Sequence, residues 1–129
     1  MSAWRREALL VLPEFKQLIA ASESPMALWI DLHLEFNRAF EANEESRIRR
    51  VIEYAKWCWD GRDSDTVNAV ACGFLEHLPD LDGIRARIPE WFNAADFERL
   101  RPVFAYHAGN EVVAEIEKLY GNSSRRNHS

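Results

Sequence analysis

Apolar residues recur at steps of three and four along most of the chain, the spacing of an amphipathic helix. From Met26 to Asn43 the stripe is Leu28, Trp29, Leu32, Phe36, Ala39 and Phe40. Ile30 and Leu34 fall off it and widen the apolar face, which predicts a helix lying between neighbours. The clearest stripe is Ile48, Val51, Ile52, Ala55, Cys58 and Trp59, with Arg47, Arg49, Arg50, Glu53 and Lys56 on the wet side. Ser46 is placed to cap this helix, and Asp60-Gly61 to end it. Asp63-Ser64-Asp65 then offers a cap and first-turn carboxylates for a helix carrying Val67, Val70, Ala71, Phe74, Leu75 and Leu78, stopped by Pro79. Gly73 interrupts that stripe at a propensity cost of about 1 kcal/mol relative to Ala. Close approach of a neighbouring helix is a reason to keep it.

The flanks read the same way. Ser2 is a candidate cap for a helix over Ala3 to Leu12, and Pro13 fits the first turn of a second one carrying Phe15, Leu18 and Ile19. Asp82 starts a short helix through Ile84 and Ile88 that Pro89 ends. Ala94 to His107 carries Phe97, Leu100 and Phe104, with Pro102 set to kink it or cut it short. Asn110 caps a last helix ending at Gly121. No segment alternates as a strand would. The expected fold is all-α: seven or eight short antiparallel helices, either an α-helical solenoid or an irregular bundle. One helical domain over 1–121 and a polar, disordered tail over 122–129 complete the expectation.

Composition narrows the class. The 129 residues carry 47% hydrophobic and 12% aromatic side chains, far too many for a disordered chain. A net charge of -5 disfavours a nucleic-acid binder. No apolar run approaches the roughly 20 residues of a membrane span, and nothing reads as a signal peptide, so a cytoplasmic location is expected.

The candidate chemistry is sparse. His33, His77, His107 and His128 form no metal-binding spacing and read as solvated or locally hydrogen-bonded. No metal and no cofactor are expected. Cys58 and Cys72 both fall on apolar stripes and read as small, buried and inert; a reducing compartment disfavours a disulfide between them. No carboxylate pair, phosphate loop or nucleophile elbow points to an enzyme. Asp60, Asp63 and Asp65 cluster around Arg62. Tyr54 and Trp57 stand three apart beside the main stripe, read either as contacts to a second helix or as exposed anchors for a partner.

The run Val67-Asn68-Ala69-Val70-Ala71-Cys72-Gly73-Phe74-Leu75-Glu76 is similar to the central motif of a family of small uncharacterised bacterial all-helical proteins. That motif is Val-x-Asn…Gly-Phe-Leu-Glu after a Gly-Asp-type turn, here Asp60-Gly61-Arg62-Asp63. Leu12-Pro13-Glu14-Phe15 resembles the family's Cys-Pro-Glu-Phe, with Leu in place of Cys. The resemblance covers Trp4 to Leu78, and the stretch around Pro102 to Gly109 departs from it. It implies an armadillo- or HEAT-like fold with no known catalytic residues. Some relatives look like immunity proteins of polymorphic-toxin or contact-dependent inhibition systems. The implied function is a cytoplasmic protein that binds and neutralises a toxin domain. A helical adaptor or a homo-oligomer is the alternative, and an enzyme a more distant one. Tyr54, Trp57, Asp60, Asp63 and Asp65 are the expected contacts for a basic toxin domain; neither nucleic acid nor membrane is an expected partner.

Overall fold

The structure is a computed structural model that describes residues 1–127, with the backbone alone for 122–127. The chain is all-α. The described residues form eight helices: α1 Ala3–Val11, α2 Lys16–Ala21, α3 Pro25–Glu41, α4 Glu45–Asp60, α5 Ser64–Gly73, α6 Asp82–Trp91, α7 Ala94–Ala108 and α8 Asn110–Asn127. Two 3-10 segments, Pro13–Phe15 and Leu75–Asp80, join them. No described helix is long and apolar enough to cross a membrane. The backbone of α8 runs on through Gly121, and the side chains of the expected tail over 122–129 lie outside the described residues. The contacts divide the chain into two compact units, Met1–Phe74 and Leu75–Ser129.

In the first unit α3, α4 and α5 pack on one another, and α1 packs on α4. Trp29, Phe36, Val51, Ile52, Ala55, Val70 and Phe74 are all buried, as their periodicity predicts. The closest packing is between α3 and α5. A Cβ built on Gly73 would lie 3.0 Å from the Cβ of Trp29, so a glycine is what lets these helices approach. Ser24 caps α3, its hydroxyl accepting from the Ala27 N–H at 3.1 Å. Asn43 ends it in the left-handed region, φ 57°, one of the few non-glycine residues that adopts it readily. Its N–H reaches the Phe40 carbonyl and the Glu44 N–H reaches Ala39, the paired bonds of a Schellman cap.

Three polar ties fasten the N-terminal segment to α4. The Tyr54 hydroxyl donates to the Trp4 carbonyl at 2.8 Å. Arg50 holds Glu14 through two 2.6 Å bonds and also reaches the Val11 carbonyl, and Arg47 adds a bond to the same carboxylate. The Arg50 guanidinium draws the Glu14 carboxyl down to about 2 from 4.5. A carboxylate depressed in the folded state stabilises fully above its unfolded value and loses that contribution as pH falls through the folded value. Glu14→Gln is therefore expected to cost about 1 kcal/mol at neutral pH, with the difference from the parent chain closing between pH 4.5 and 2. Urea titrations at stepped pH measure it; a difference that persists undiminished at pH 2 would contradict the assignment.

In the second unit α6 and α7 pack against the segment Leu75–Asp80, and α8 packs on α6 and α7. Phe97 stacks on Tyr120, 4.8 Å between centroids, and the Tyr120 hydroxyl donates to the Phe92 carbonyl at 2.9 Å. Asn93 and Asp96 form a reciprocal capping box at the start of α7. Arg101 on α7 bridges Glu98 and Glu117.

Several expectations are corrected. α5 ends at Gly73: Phe74 turns at φ −144°, ψ −63°, and Leu75 to Leu78 continue as a 3-10 segment that contains Pro79. Cys72 is exposed, because the buried face of α5 is Thr66, Ala69, Val70 and Gly73. Ile30 and Leu34 are about half exposed, at 55% and 54%, so α3 does not bury a second apolar side. Ser46 lies inside α4, whose N-cap is Glu44. Pro89 and Pro102 lie inside continuous helices. Each removes one backbone bond, at a cost of about 3 kcal/mol, but Pro102 is exposed, so water reaches the freed carbonyl, and Phe97, Leu100 and Phe104 bury the opposite face. Asn110 is the first residue of α8 rather than its cap, and Gly109 alone separates α7 from α8.

Candidate functional site

The buried rings of the first unit form a column. Phe74 stacks on Trp29 at 4.8 Å, Trp29 on Tyr54 at 5.3 Å, and Tyr54 on Trp57 at 6.1 Å, all within 26° of parallel. The first three rings are buried and Trp57 is 38% exposed. Tyr54 is thus corrected from an exposed anchor to a support: it holds the inner face of Trp57, and its hydroxyl is spent on Trp4. The i, i+3 spacing on α4 makes this stack, but which of the two rings faces water depends on α1 and α3 covering Tyr54.

Trp57 stands at the wall of a cleft of about 450 Å³, lined also by Ser2, Ala3, Trp4, Cys58, Arg62, Asp63 and Thr66. The start of α1 forms one side, and the end of α4 with the loop into α5 forms the other. The N-terminal residues are brought there by the Tyr54–Trp4 bond and by Arg5, which donates to the Ile19 and Ser22 carbonyls and lies 4.5 Å over the Trp4 ring. The loop is shaped by Asp63, the N-cap of α5, whose carboxylate accepts from the Thr66 hydroxyl at 2.6 Å. Gly61 closes α4 in an extended conformation, φ −75°, ψ 175°. Asp60, Asp63 and Asp65 are all exposed around this loop, and Asp65 sits in the first turn of α5, where the helix dipole favours a negative charge.

The cleft is apolar at its walls and acidic on one rim. Cys58 lies at its base, where burial pushes the thiol up to about 11, so it stays protonated at neutral pH. The Ser2 hydroxyl oxygen is shielded from solvent and has no hydrogen-bond partner among the described residues. Spacing marks Ser2 only as a helix cap and gives Trp4 no role, so neither is legible as a cleft residue. Trp4 lies in a short helix remote in sequence from the acidic loop, and nothing in the spacing of apolar residues joins the two.

In the second unit the structure brings together two histidines that the sequence keeps apart. The rings of His77 and His107 are 4.6 Å apart, beside Glu76 and Asp80. His33 lies elsewhere, its ring 6.0 Å from Phe74.

A family model described as a domain of unknown function, DUF7674, matches residues 6–95. The chain belongs to the DUF7674 family. No curated protein and no solved structure matches it. The DUF7674 match takes in Tyr54, Trp57 and the acidic loop, and also Glu76, His77 and Asp80. It leaves Trp4 and His107 outside.

Proposed function

We propose that this chain is a binding module for a basic protein partner, seated on the Trp4–Trp57 cleft and the rim of Asp60, Asp63 and Asp65. The observation that carries the reading is Trp57: a large ring, 38% exposed, braced from behind by buried Tyr54 beside an acidic loop. Tryptophan is enriched at interface hot spots, because it brings much contact area at little entropic cost. The three carboxylates supply the long-range attraction that speeds encounter with a basic surface. Among basic partners, a toxin domain neutralised by a cytoplasmic immunity protein is the reading favoured by the motif around Gly73-Phe74-Leu75-Glu76. In that reading the chain binds and occludes, and performs no catalysis of its own.

The test is binding kinetics against a basic toxin domain, taken from the neighbouring gene if that gene encodes one. Asp63→Lys with Asp65→Lys is expected to slow association and flatten its dependence on salt. Trp57→Ala is expected to speed dissociation, costing about 2 kcal/mol of affinity, with the helical content of the free chain unchanged. Unaltered kinetics in both variants would remove this face from consideration.

A further inference from the structure

We propose that Glu76, His77 and His107, braced by Asp80, form a binding site for a divalent metal ion of the zinc class. One ligand atom from each of the three residues lies within 4.8 Å of the others. A tetrahedral zinc ion with bonds of about 2.0–2.1 Å needs ligand atoms about 3.3 Å apart. The Nε2 of His77 and the Oε1 of Glu76 already stand at 3.4 Å. The other ligand separations, up to 4.8 Å, would shorten by small side-chain adjustments on binding.

The fold supplies the arrangement in three steps. In a 3-10 segment residues three apart lie one above the other, so His77 and Asp80 share an edge of Leu75–Asp80. Leu75, Leu78 and Pro79 are buried, which anchors the segment and fixes that edge. The last turn of α7 then lays His107 against it, α7 being the helix packed most extensively on this segment.

Asp80 makes the cluster more than a chance pairing of charges. Its Oδ2 lies 3.2 Å from Nδ1 of His77 and its Oδ1 3.3 Å from Nε2 of His107. A carboxylate on the Nδ1–H of a histidine orients the ring and raises the donor strength of Nε2, the usual outer brace of a metal-bound imidazole. Nε2 of His77 is the nitrogen that faces Glu76. Two imidazoles with a carboxylate suit zinc and its first-row neighbours, whereas magnesium and calcium prefer oxygen ligands alone. A bound ion would clamp the segment Leu75–Asp80 to the end of α7, so binding and thermal stability are linked.

Calorimetric titration of the full chain with zinc chloride is expected to give one equivalent of saturable binding, with a zinc-dependent rise in melting temperature. Magnesium chloride is expected to give neither. His77→Ala and His107→Ala are each expected to abolish both effects while the far-UV circular dichroism is retained. Asp80→Asn is expected to weaken binding about ten-fold. Cobalt in place of zinc should show ligand-field bands without a thiolate charge-transfer band, which separates this site from the exposed Cys72. The proposal is overturned if the parent chain binds no zinc saturably, if zinc binding is undiminished in both histidine variants, or if binding is removed by Cys72→Ser. If a histidine variant fails to fold, the cobalt spectrum of the parent chain decides, and an absence of intense tetrahedral ligand-field bands counts against the site.

Discussion

Replacing Phe74 with alanine is expected to cost about 3–5 kcal/mol. The ring is wholly buried, stacked on Trp29 at 4.8 Å and edge-on to Phe36 at 5.0 Å. Removing it forfeits the transfer free energy of a phenyl group and leaves a cavity that rigid rings on two sides cannot fill. Relaxation is limited further by Gly73, whose contact with Trp29 already sets α3 against α5 at close to the minimum distance. A domain of this size has about 5–15 kcal/mol of stability in all, so the variant should lose a large part of its helical signal well below the parent's melting temperature. Urea unfolding followed by circular dichroism measures the loss. A change under about 1 kcal/mol would mean that the ring column does not hold the first unit together.

The two glycines of the C-terminal region should respond in opposite directions to the same substitution. Gly109 joins α7 to α8 at φ 93°, ψ 165°, a region of backbone space open essentially to glycine alone. A Cβ there would meet no atom within 4 Å, so the penalty comes from the backbone and not from crowding. Gly109→Ala should destabilise by about 1–3 kcal/mol. Gly121 lies within α8, also with nothing within 4 Å. Gly121→Ala should therefore stabilise by about 0.5 kcal/mol, because alanine loses less backbone freedom on forming the helix. Melting temperatures of the two variants beside the parent chain test the pair; stabilisation by Gly109→Ala would show that the connection adopts another conformation.

The sequence by itself determined that the chain is helical, and it determined much of the first unit's core. Periodicity is a local property: Val51, Ile52 and Ala55 must share a face of any helix they form, and a helix with such a face must bury it. Gly73 was legible for a related reason, since a glycine inside a strong stripe implies a neighbour too close for a side chain. The turn at Phe74 was not legible. Phe74, Leu75 and Leu78 keep apolar spacing across it, and only the backbone at Phe74, φ −144°, ψ −63°, shows where the helix stops.

Exposure was decided by the tertiary structure alone. Ile30 and Leu34 look as apolar as Leu28 and Leu32, and Cys72 as apolar as Cys58; which of them meet water depends on where other helices lie. The same holds for Tyr54 and Trp57, one turned into the column and the other out of it. Both candidate sites are built from non-local pairs. The Tyr54–Trp4 bond spans 50 residues and assembles the cleft, and α7 folding back on Leu75–Asp80 joins His107 to His77. Residue spacing records contacts along one helix. Contacts between helices are selected by shape and burial over the whole unit, and they leave no comparable period in the sequence.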